Sequence, residues 1–166
     1  MNKFYEKVNK LLEEYIGGQI FFTELDKAVK FDRDILEQLL AYAHSQTTGM
    51  NPLTIASGEI GLALHNFGID VDILVPGGLR HDPSKINLEP FRNILDGRTV
   101  AFIDDSYFSG RTLTVIEEEV RKYGGILRYA FVAYDGSKEA NSKVCSLYRY
   151  YDHYDILGRP LTGEQK

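Results

Sequence analysis

The sequence predicts an α/β domain with a central, mainly parallel sheet flanked by helices. Between about residues 53 and 133, short apolar segments alternate with amphipathic ones in the order strand, helix, strand, strand, helix, strand. Glycines follow the amphipathic segments, as is common where helices end. The 166 residues suffice for one domain with a real core. We therefore predict a single domain over residues 1–166, with its core at about 50–135 and a cap at about 1–49 and 136–160.

The elements follow from the hydrophobic periodicity of the chain. Apolar spacing predicts amphipathic helices at residues 3–15 and at Arg33–Ser45, and Asp32 is the expected N-cap of the second. Residues 76–90 contain three prolines and two glycines, which predicts a long loop. The four expected strands are Leu53–Ala56, Val71–Val75, Val100–Ile103 and Leu127–Ala133, and two further helices are expected at Ile60–Asn66 and Thr112–Tyr123.

Composition limits the function classes. The net charge of -5 disfavours a nucleic-acid coat, which needs a basic surface. The one cysteine, Cys145, cannot form an intramolecular disulfide, and we expect a buried, inert thiol. The N-terminus lacks the apolar stretch of a signal peptide, and no apolar run approaches the span of a bilayer. We expect a soluble, cytoplasmic protein without a membrane partner.

The segment from Val100 to Thr112 carries the strongest chemical signal. An apolar strand is predicted to end in two adjacent carboxylates, Asp104 and Asp105, and a loop of small residues then opens a helix. Ligands of open parallel sheets bind beyond the carboxyl ends of the strands. Backbone N–H groups at a helix N-terminus attract anions, and Gly110 lets a ligand approach the backbone closely. A phosphate beside carboxylates that accept hydrogen bonds from vicinal hydroxyls describes a ribose 5-phosphate.

Each part of this pattern also has a simpler interpretation. Paired acids at the end of a strand can be solvated, or can cap the helix that follows. A turn of small residues before a helix occurs in many α/β proteins. The prediction depends on the order and spacing of the parts together.

This segment resembles the ribose-phosphate motif of type I phosphoribosyltransferases: four apolar residues, two acids, variable positions and a Ser/Thr-Gly-x-Thr loop. Its form is closest to the pyrimidine-operon attenuator/uracil phosphoribosyltransferase branch. The resemblance implies that Asp104 and Asp105 contact the ribose 2′- and 3′-hydroxyls. The residues implied for the phosphoribosyl group and its 5′-phosphate are Asp104, Asp105, Ser106, Tyr107, Phe108, Ser109, Gly110, Arg111 and Thr112.

Two more segments resemble the same family. Thr54–Gly61 has its strand, short loop and helix, which implies that Ala56, Ser57 and Gly58 bind pyrophosphate, with a cis peptide between Ala56 and Ser57. Residues 76–90 occupy the place of a mobile lid, where Arg80, His81 and Lys85 would meet the leaving charge. An ordinary strand-to-helix turn and a solvated loop are the alternatives for these two segments.

The resemblance implies transfer of a phosphoribosyl group from 5-phosphoribosyl-1-pyrophosphate to a nitrogenous base, a pentosyl glycosyltransferase reaction that releases pyrophosphate. Asp104, Asp105, Arg80 and Lys85 are the implied catalytic residues. Mg²⁺ is the implied cofactor, held by Asp104 and Asp105 directly or through ligand and water. The alternative is a regulatory module that senses a nucleotide without turnover. Phe108 departs from purine-salvage members, which often have an acid there, and this puts purine salvage in doubt.

Other features of the sequence leave the partners less defined. Tyr148, Tyr150, Tyr151 and Tyr154 crowd the C-terminal region, and packing is favoured over stacking on a base. His65, His81 and His153 lack the spacing of metal ligands, so no zinc site is expected. The expected partner is a small-molecule substrate, the activated ribose with a base, or a nucleotide. Nucleic acid is disfavoured, and a homodimer is left open.

Overall fold

A computed structural model of the protein describes residues 4, 6–8, 10, 24–25, 27–29, 32–56, 58–75 and 86–153. Their centre is a five-stranded sheet in which every neighbouring pair of strands is parallel. The strands are β1 (Leu53–Ala56), β2 (Ile73–Leu74), β3 (Thr99–Tyr107), β4 (Ile126–Asp135) and β5 (Val144–Arg149). Their order across the sheet is β2-β1-β3-β4-β5.

Helices follow the strands or precede the sheet. Asp32 is the N-cap of the helix before β1, and its Oδ1 accepts a hydrogen bond of 2.9 Å from the Asp34 amide. The described residues upstream of Asp32 are helical as well. The helices are α1 (Arg33–Gln46), α2 (Gly58–Asn66), α3 (Arg92–Leu95) and α4 (Arg111–Lys122), with 3₁₀ turns at Glu89–Phe91 and Tyr150–Asp152.

The sheet separates two apolar layers. On one face, α1, α2 and the N-terminal helical residues pack against the inward side chains of β3 and β4. On the other face, α4 packs together with residues 86–95. Helices therefore cover both faces of a parallel sheet, as the sequence predicts for an α/β domain. Phe4 and Val8 are fully buried in the first layer, so part of the N-terminal segment assigned to the cap lies against a face of the sheet.

Several predicted boundaries are wrong by a few residues. β3 was expected to end at Ile103, but it continues through both aspartates to Tyr107 because β4 is long enough to pair with it throughout. β2 was expected over Val71–Val75, and only Ile73–Leu74 is a strand. Helix α2 begins at Gly58, two residues before the predicted start. The predicted end of α1 lies within one residue of the observed one.

Two elements were not predicted. The segment Glu89–Leu95, read partly as loop, forms a 3₁₀ turn and the short helix α3. Val144–Arg149, within the range assigned to the cap, forms β5 and extends the sheet beside β4. In the described part of the chain, no helix has the length and apolar character needed to cross a membrane.

Candidate functional site

The order of the strands places a crevice between the carboxyl ends of β1 and β3. The chain leaves β1 through α2 to β2 on one side, and β3 lies on the other side of β1. Helix α2 belongs to one apolar layer and α4 to the other, so the two connections cover opposite faces. This reversal is the topological switch point at which open α/β sheets bind ligands. Both segments that the sequence singled out lie at this point.

Asp104 and Asp105 lie at the β3 side of the crevice. Ala56, the last residue of β1, pairs with Ile103, so β3 extends four residues beyond its neighbour. At about 3.3 Å per residue, the extension projects roughly 13 Å past the end of β1. On the other side, β4 remains paired with it as far as Tyr107. The acids therefore line one wall of the crevice on a strand that β4 keeps rigid.

The two carboxylates lie on different faces of the strand. Side chains alternate along a strand, so Asp104 shares the face of Val100 and Phe102, and Asp105 shares that of Ala101 and Ile103. Asp105 is 8% exposed and Asp104 is partly exposed. Asp104 Oδ1 accepts a hydrogen bond of 2.8 Å from the Asp105 amide. Asp105 Oδ1 lies 3.3 Å from the Ser106 hydroxyl, which donates to it.

A three-residue turn, Phe108–Gly110, joins β3 to α4, and we call it the phosphate turn. Gly110 is the N-cap of α4 at a φ of +80°, a left-handed conformation that favours glycine. Having no side chain, it cannot cap the amides of the first helical turn. The Ser109 hydroxyl accepts a hydrogen bond of 3.4 Å from the Arg111 amide, and Thr112 stands in the same first turn. The turn thus presents amides and hydroxyls at the positive end of a helix.

The Tyr107 side chain lies against this turn. A Cβ atom on Gly110 would come within 2.9 Å of the Tyr107 hydroxyl, so the ring has room only because residue 110 is a glycine. The side-chain amide of Asn141 donates a hydrogen bond of 3.3 Å to the same hydroxyl through its Nδ2. Phe108 is 43% exposed, and its ring packs edge-to-face on Tyr134 with centroids 5.7 Å apart.

Ala56 and Gly58 lie on the β1 side of the crevice. Ala56 is fully buried, and its carbonyl accepts a hydrogen bond of 3.0 Å from the Val75 amide. Gly58 is the first residue of α2, so a second helix N-terminus lies at the same edge of the sheet as that of α4. Ser57, between them, lies outside the described residues, as do Arg80, His81 and Lys85. The expected cis peptide at Ala56–Ser57 and the lid at residues 76–85 therefore stay predictions. The end of the predicted lid, residues 86–90, is wrong, because Ile86 and Leu88 are buried in the layer that contains α4.

Sequence reasoning missed the polar residues at the ends of β4 and β5. Asp135 and Ser137 are buried, and the Asp135 carboxylate lies 3.6 Å from Nε of Arg149, on the neighbouring strand. The Asp135-Gly136 dipeptide, a turn signal after an apolar strand, could have indicated the end of β4. No comparable turn signal in the sequence marks Arg149, and the strand that contains it was not predicted.

The described C-terminal tyrosines and Cys145, the remaining candidates from the sequence, pack in or beside the core. Tyr148 and Tyr150 are 2% and 5% exposed within the core, as the packing interpretation predicted. Tyr154 lies outside the described residues. Burial raises the pKa of the half-buried Cys145 thiol, which suits an unreactive side chain.

The implied metal, Mg²⁺, needs oxygen ligands in a near-octahedral arrangement. Within the described ranges, no cluster of three or more His, Cys, Asp or Glu side chains could hold a metal ion. Mg²⁺ commonly binds through only one or two carboxylates together with substrate phosphates and water. Asp104 and Asp105 lie on different faces of β3, so one of these carboxylates, together with phosphate oxygens and water, would fit a magnesium ion that arrives with a phosphorylated ligand.

Comparison with known proteins finds similarity in structure only. No protein-family model matches the chain, and no curated protein matches it. A phosphoribosyltransferase from Corynebacterium diphtheriae superposes with a TM-score of 0.50 at 13% identity, over 89% of this chain and 96% of that one. A hypoxanthine-guanine phosphoribosyltransferase from Bacillus anthracis gives a TM-score of 0.48 at 14% identity, over 78% and 81% of the two chains. An adenine phosphoribosyltransferase from Rhodothermus marinus gives 0.46 at 13% identity, over 73% and 82%.

Identities this low say nothing about the substrate, and of the three only the Corynebacterium protein, with a TM-score of 0.50, bears on the fold. None of the three structures tests the predicted likeness to the pyrimidine-operon attenuator/uracil branch, which stays a prediction. The likeness to the Corynebacterium protein, together with the parallel sheet and its two helical layers, gives this chain the fold of a type I phosphoribosyltransferase.

Proposed function

We propose that this protein transfers a 5-phosphoribosyl group from 5-phosphoribosyl-1-pyrophosphate to a nitrogenous base and releases pyrophosphate. One observation carries the proposal. The acid pair, the phosphate turn and the N-terminus of α2 meet at the topological switch point of the sheet. The carboxylates can accept hydrogen bonds from sugar hydroxyls, and a helix N-terminus lies on either side of them as an anion site. This arrangement matches a sugar that bears a phosphate at one end and a diphosphate at the other.

Each group has a proposed role. Ser106 to Thr112 hold the 5′-phosphate through backbone amides and hydroxyls. Asp104 and Asp105, adjacent on the extension of β3 beyond β1, accept hydrogen bonds from the ribose 2′- and 3′-hydroxyls. Ala56, Ser57 and Gly58 receive the pyrophosphate at the N-terminus of α2, with Arg80 and Lys85 closing over it.

The chemistry breaks the bond between ribose C1 and the pyrophosphate oxygen and forms a bond from C1 to a base nitrogen. Positive charge develops on the ring and negative charge on the leaving group, so fixed positioning and electrostatics supply most of the rate. Asp104 and Asp105 would hold Mg²⁺ directly or through ligand and water, and the ion would supply positive charge to neutralise the diphosphate. The side chain of Phe108 cannot exchange a proton with the base, so the acceptor has to lose its proton to another group.

A sensor that binds a nucleotide without turnover is the second candidate. The binding features of the crevice would serve it equally well, and one fold hosts many functions. The deciding experiment incubates the protein with 5-phosphoribosyl-1-pyrophosphate, Mg²⁺ and a panel of purine and pyrimidine bases, and measures released pyrophosphate. Base-dependent release that is lost in Asp105→Asn supports the transferase. Saturable binding of nucleoside monophosphates without release of pyrophosphate with any base supports the sensor. If neither release nor binding is observed, both proposals are contradicted.

A further inference from the structure

The connection between β4 and β5, residues 136–143, lies against both ends of the phosphate turn. On the β3 side, the Gly136 amide donates a hydrogen bond of 2.9 Å to the Tyr107 carbonyl. Asn141 holds the Tyr107 hydroxyl from the same connection. On the α4 side, Lys143 forms an ion pair with Glu117. A segment that contacts the residue before the turn and the helix after it can fix the position of the turn between them.

The connection also seats the turn itself. A Cβ atom at Gly136 would lie 2.1 Å from Cε1 of Phe108, so the ring rests directly on the glycine backbone. The edge-to-face contact with Tyr134 supports the same ring from β4. Phe108 remains 43% exposed at the crevice, so its position depends on Tyr134 and Gly136 and not on burial in a core. A shift of the connection would therefore move Phe108 and the phosphate turn with it.

Asp135 and Arg149 hold this connection in place. Oδ1 of Asp135 accepts hydrogen bonds from the amide and the hydroxyl of Ser137, at 2.8 Å and 2.6 Å. From β5, Arg149 donates to the carbonyls of Ser137 and Lys138, at 2.9 Å and 3.2 Å. Its Nε lies 3.6 Å from Asp135 Oδ2, and the two side chains are 17% and 4% exposed. One guanidinium thus ties together the end of β4, the start of the connection and β5.

The chemistry of this network makes it hard to replace. The planar guanidinium donates to the two carbonyls and, through Nη1 at 3.2 Å, to the exposed Asp152 carboxylate, while its Nε faces Asp135 at ion-pair distance. A lysine ammonium cannot reproduce that fork. Removing the arginine would leave the buried Asp135 carboxylate without its nearest positive charge, which is strongly unfavourable in a low-dielectric site. The connection would relax to solvate the carboxylate, and its bonds to Tyr107 would be lost first.

We propose that Asp135 and Arg149 are positioning residues of the ribose-phosphate site, which act through residues 136–143 on Tyr107, Phe108 and the phosphate turn. The inference rests on the proposed function, since it assumes that the phosphate turn binds a phosphorylated ribose. Asp135 is also the sheet partner of Tyr107, so the network adjoins the start of the turn.

The test measures the affinity of ribose 5-phosphate by titration calorimetry, at a temperature where circular dichroism finds every variant folded. Arg149→Met removes the fork and keeps the length of the side chain, and Arg149→Lys keeps the charge. Arg128→Met is the matched control, because Arg128 is exposed near the start of β4, far from the crevice. Arg149→Met and Arg149→Lys should both bind about tenfold more weakly, the size expected when a packed network changes its arrangement. The control should bind as the wild type does.

A second measurement separates positioning from a general loss of structure. Amide hydrogen exchange should accelerate at Gly136 in the Arg149 variants and stay unchanged at Ile55 in β1, which lies away from the connection. The double variant Asp135→Asn/Arg149→Met should lose no more affinity than Arg149→Met alone, because the two residues act as one unit. Additive losses would overturn the coupling, and uniform acceleration of exchange would overturn the positioning role.

Remaining outcomes are also decisive. If Arg149→Met does not fold, Asn141→Ala carries the test. It removes the link from the connection to the Tyr107 hydroxyl, together with the hydrogen bond of 2.9 Å that Asn141 Oδ1 accepts from the Lys143 amide within the same connection. Weaker binding by Asn141→Ala supports the proposal, and unchanged binding by both Asn141→Ala and Arg149→Lys overturns it. A wild-type protein that does not bind ribose 5-phosphate refutes the proposed function and this inference with it. Wild-type binding with unaffected variants refutes this inference alone.

Discussion

Gly110 offers the sharpest test of the phosphate turn, because two separable costs meet at one position. Its φ of +80° would strain any residue with a Cβ, at about 1–2 kcal/mol for an alanine. The Cβ would also come within 2.9 Å of the Tyr107 hydroxyl and displace the ring. Losing the hydrogen bond from Asn141 would add about 0.5–1.5 kcal/mol. We expect Gly110→Ala to lower the free energy of unfolding by about 2–3 kcal/mol.

Gly68 provides the matched control. Its φ is +79°, nearly the same as at Gly110, but an added Cβ meets nothing within 4 Å. Gly68→Ala should therefore lower the free energy of unfolding by only the conformational term, about 1–2 kcal/mol. Urea denaturation of both variants, at equal slope, measures the difference between them.

The same pair of variants tests binding. A displaced Tyr107 ring moves the turn and removes hydrogen bonds to a charged phosphate, so Gly110→Ala should bind ribose 5-phosphate at least about tenfold more weakly. Gly68→Ala should bind as the wild type does, because α2 ends there, at the other edge of the sheet. Equal stability losses together with unchanged affinity in Gly110→Ala would refute both the contact with Tyr107 and the role of the turn.

Three further predictions concern the acids, the lid and the thiol. Asp104→Asn and Asp105→Asn should weaken the binding of a nucleoside 5′-monophosphate, measured by calorimetry, with little change in melting temperature. The control Asp70→Asn, which lies before β2 at the opposite edge of the sheet, should leave the affinity unchanged. Unchanged affinity in both Asp104→Asn and Asp105→Asn would remove the two aspartates from the site. Residues 76–85 should exchange amide hydrogens more slowly once ligand and Mg²⁺ are added, and equal rates would contradict a closing lid. Burial holds the pKa of Cys145 above its ordinary value, so its alkylation at about pH 8 should be slower than that of free cysteine and should rise with pH; a rate equal to that of free cysteine would contradict the observed burial.

The predictable part of the fold was the part governed by local pattern. β1, α1, α2 and α4 have strong apolar periodicity and clear end signals, and the sequence predicts each of them to within a few residues. β5 escaped because it is an edge strand with only two buried residues, Leu147 and Tyr148, so its sequence has no apolar run. Its place in the sheet depends on β4, which offers it a parallel edge from Ala130 to Asp135.

The candidate site divides in the same way. The acid pair and Gly110 were visible because their residue types and spacing carry the chemistry themselves. The network of Asp135 and Arg149 was invisible because it joins two strands that are neighbours only after folding, and one of those strands was missed. The extension of β3 through the acids was also beyond local reasoning, since pairing with β4 and not apolar content keeps Asp104 to Tyr107 in a strand.

The proposed function assigns binding and turnover to different parts of this chain, and a test of that separation decides between transferase and sensor. In this proposal the carboxylates and the phosphate turn hold a ribose 5-phosphate, and they need not change during a reaction. A departing diphosphate also requires cationic groups that stabilise its negative charge as that charge develops. Arg80 and Lys85 are the sequence candidates for that task. If the protein is a transferase, Arg80→Met and Lys85→Met should slow pyrophosphate release by more than they weaken binding of a nucleoside monophosphate, which has no diphosphate. If the two losses are equal, the two cations serve binding alone, and the rate of release depends on the crevice itself.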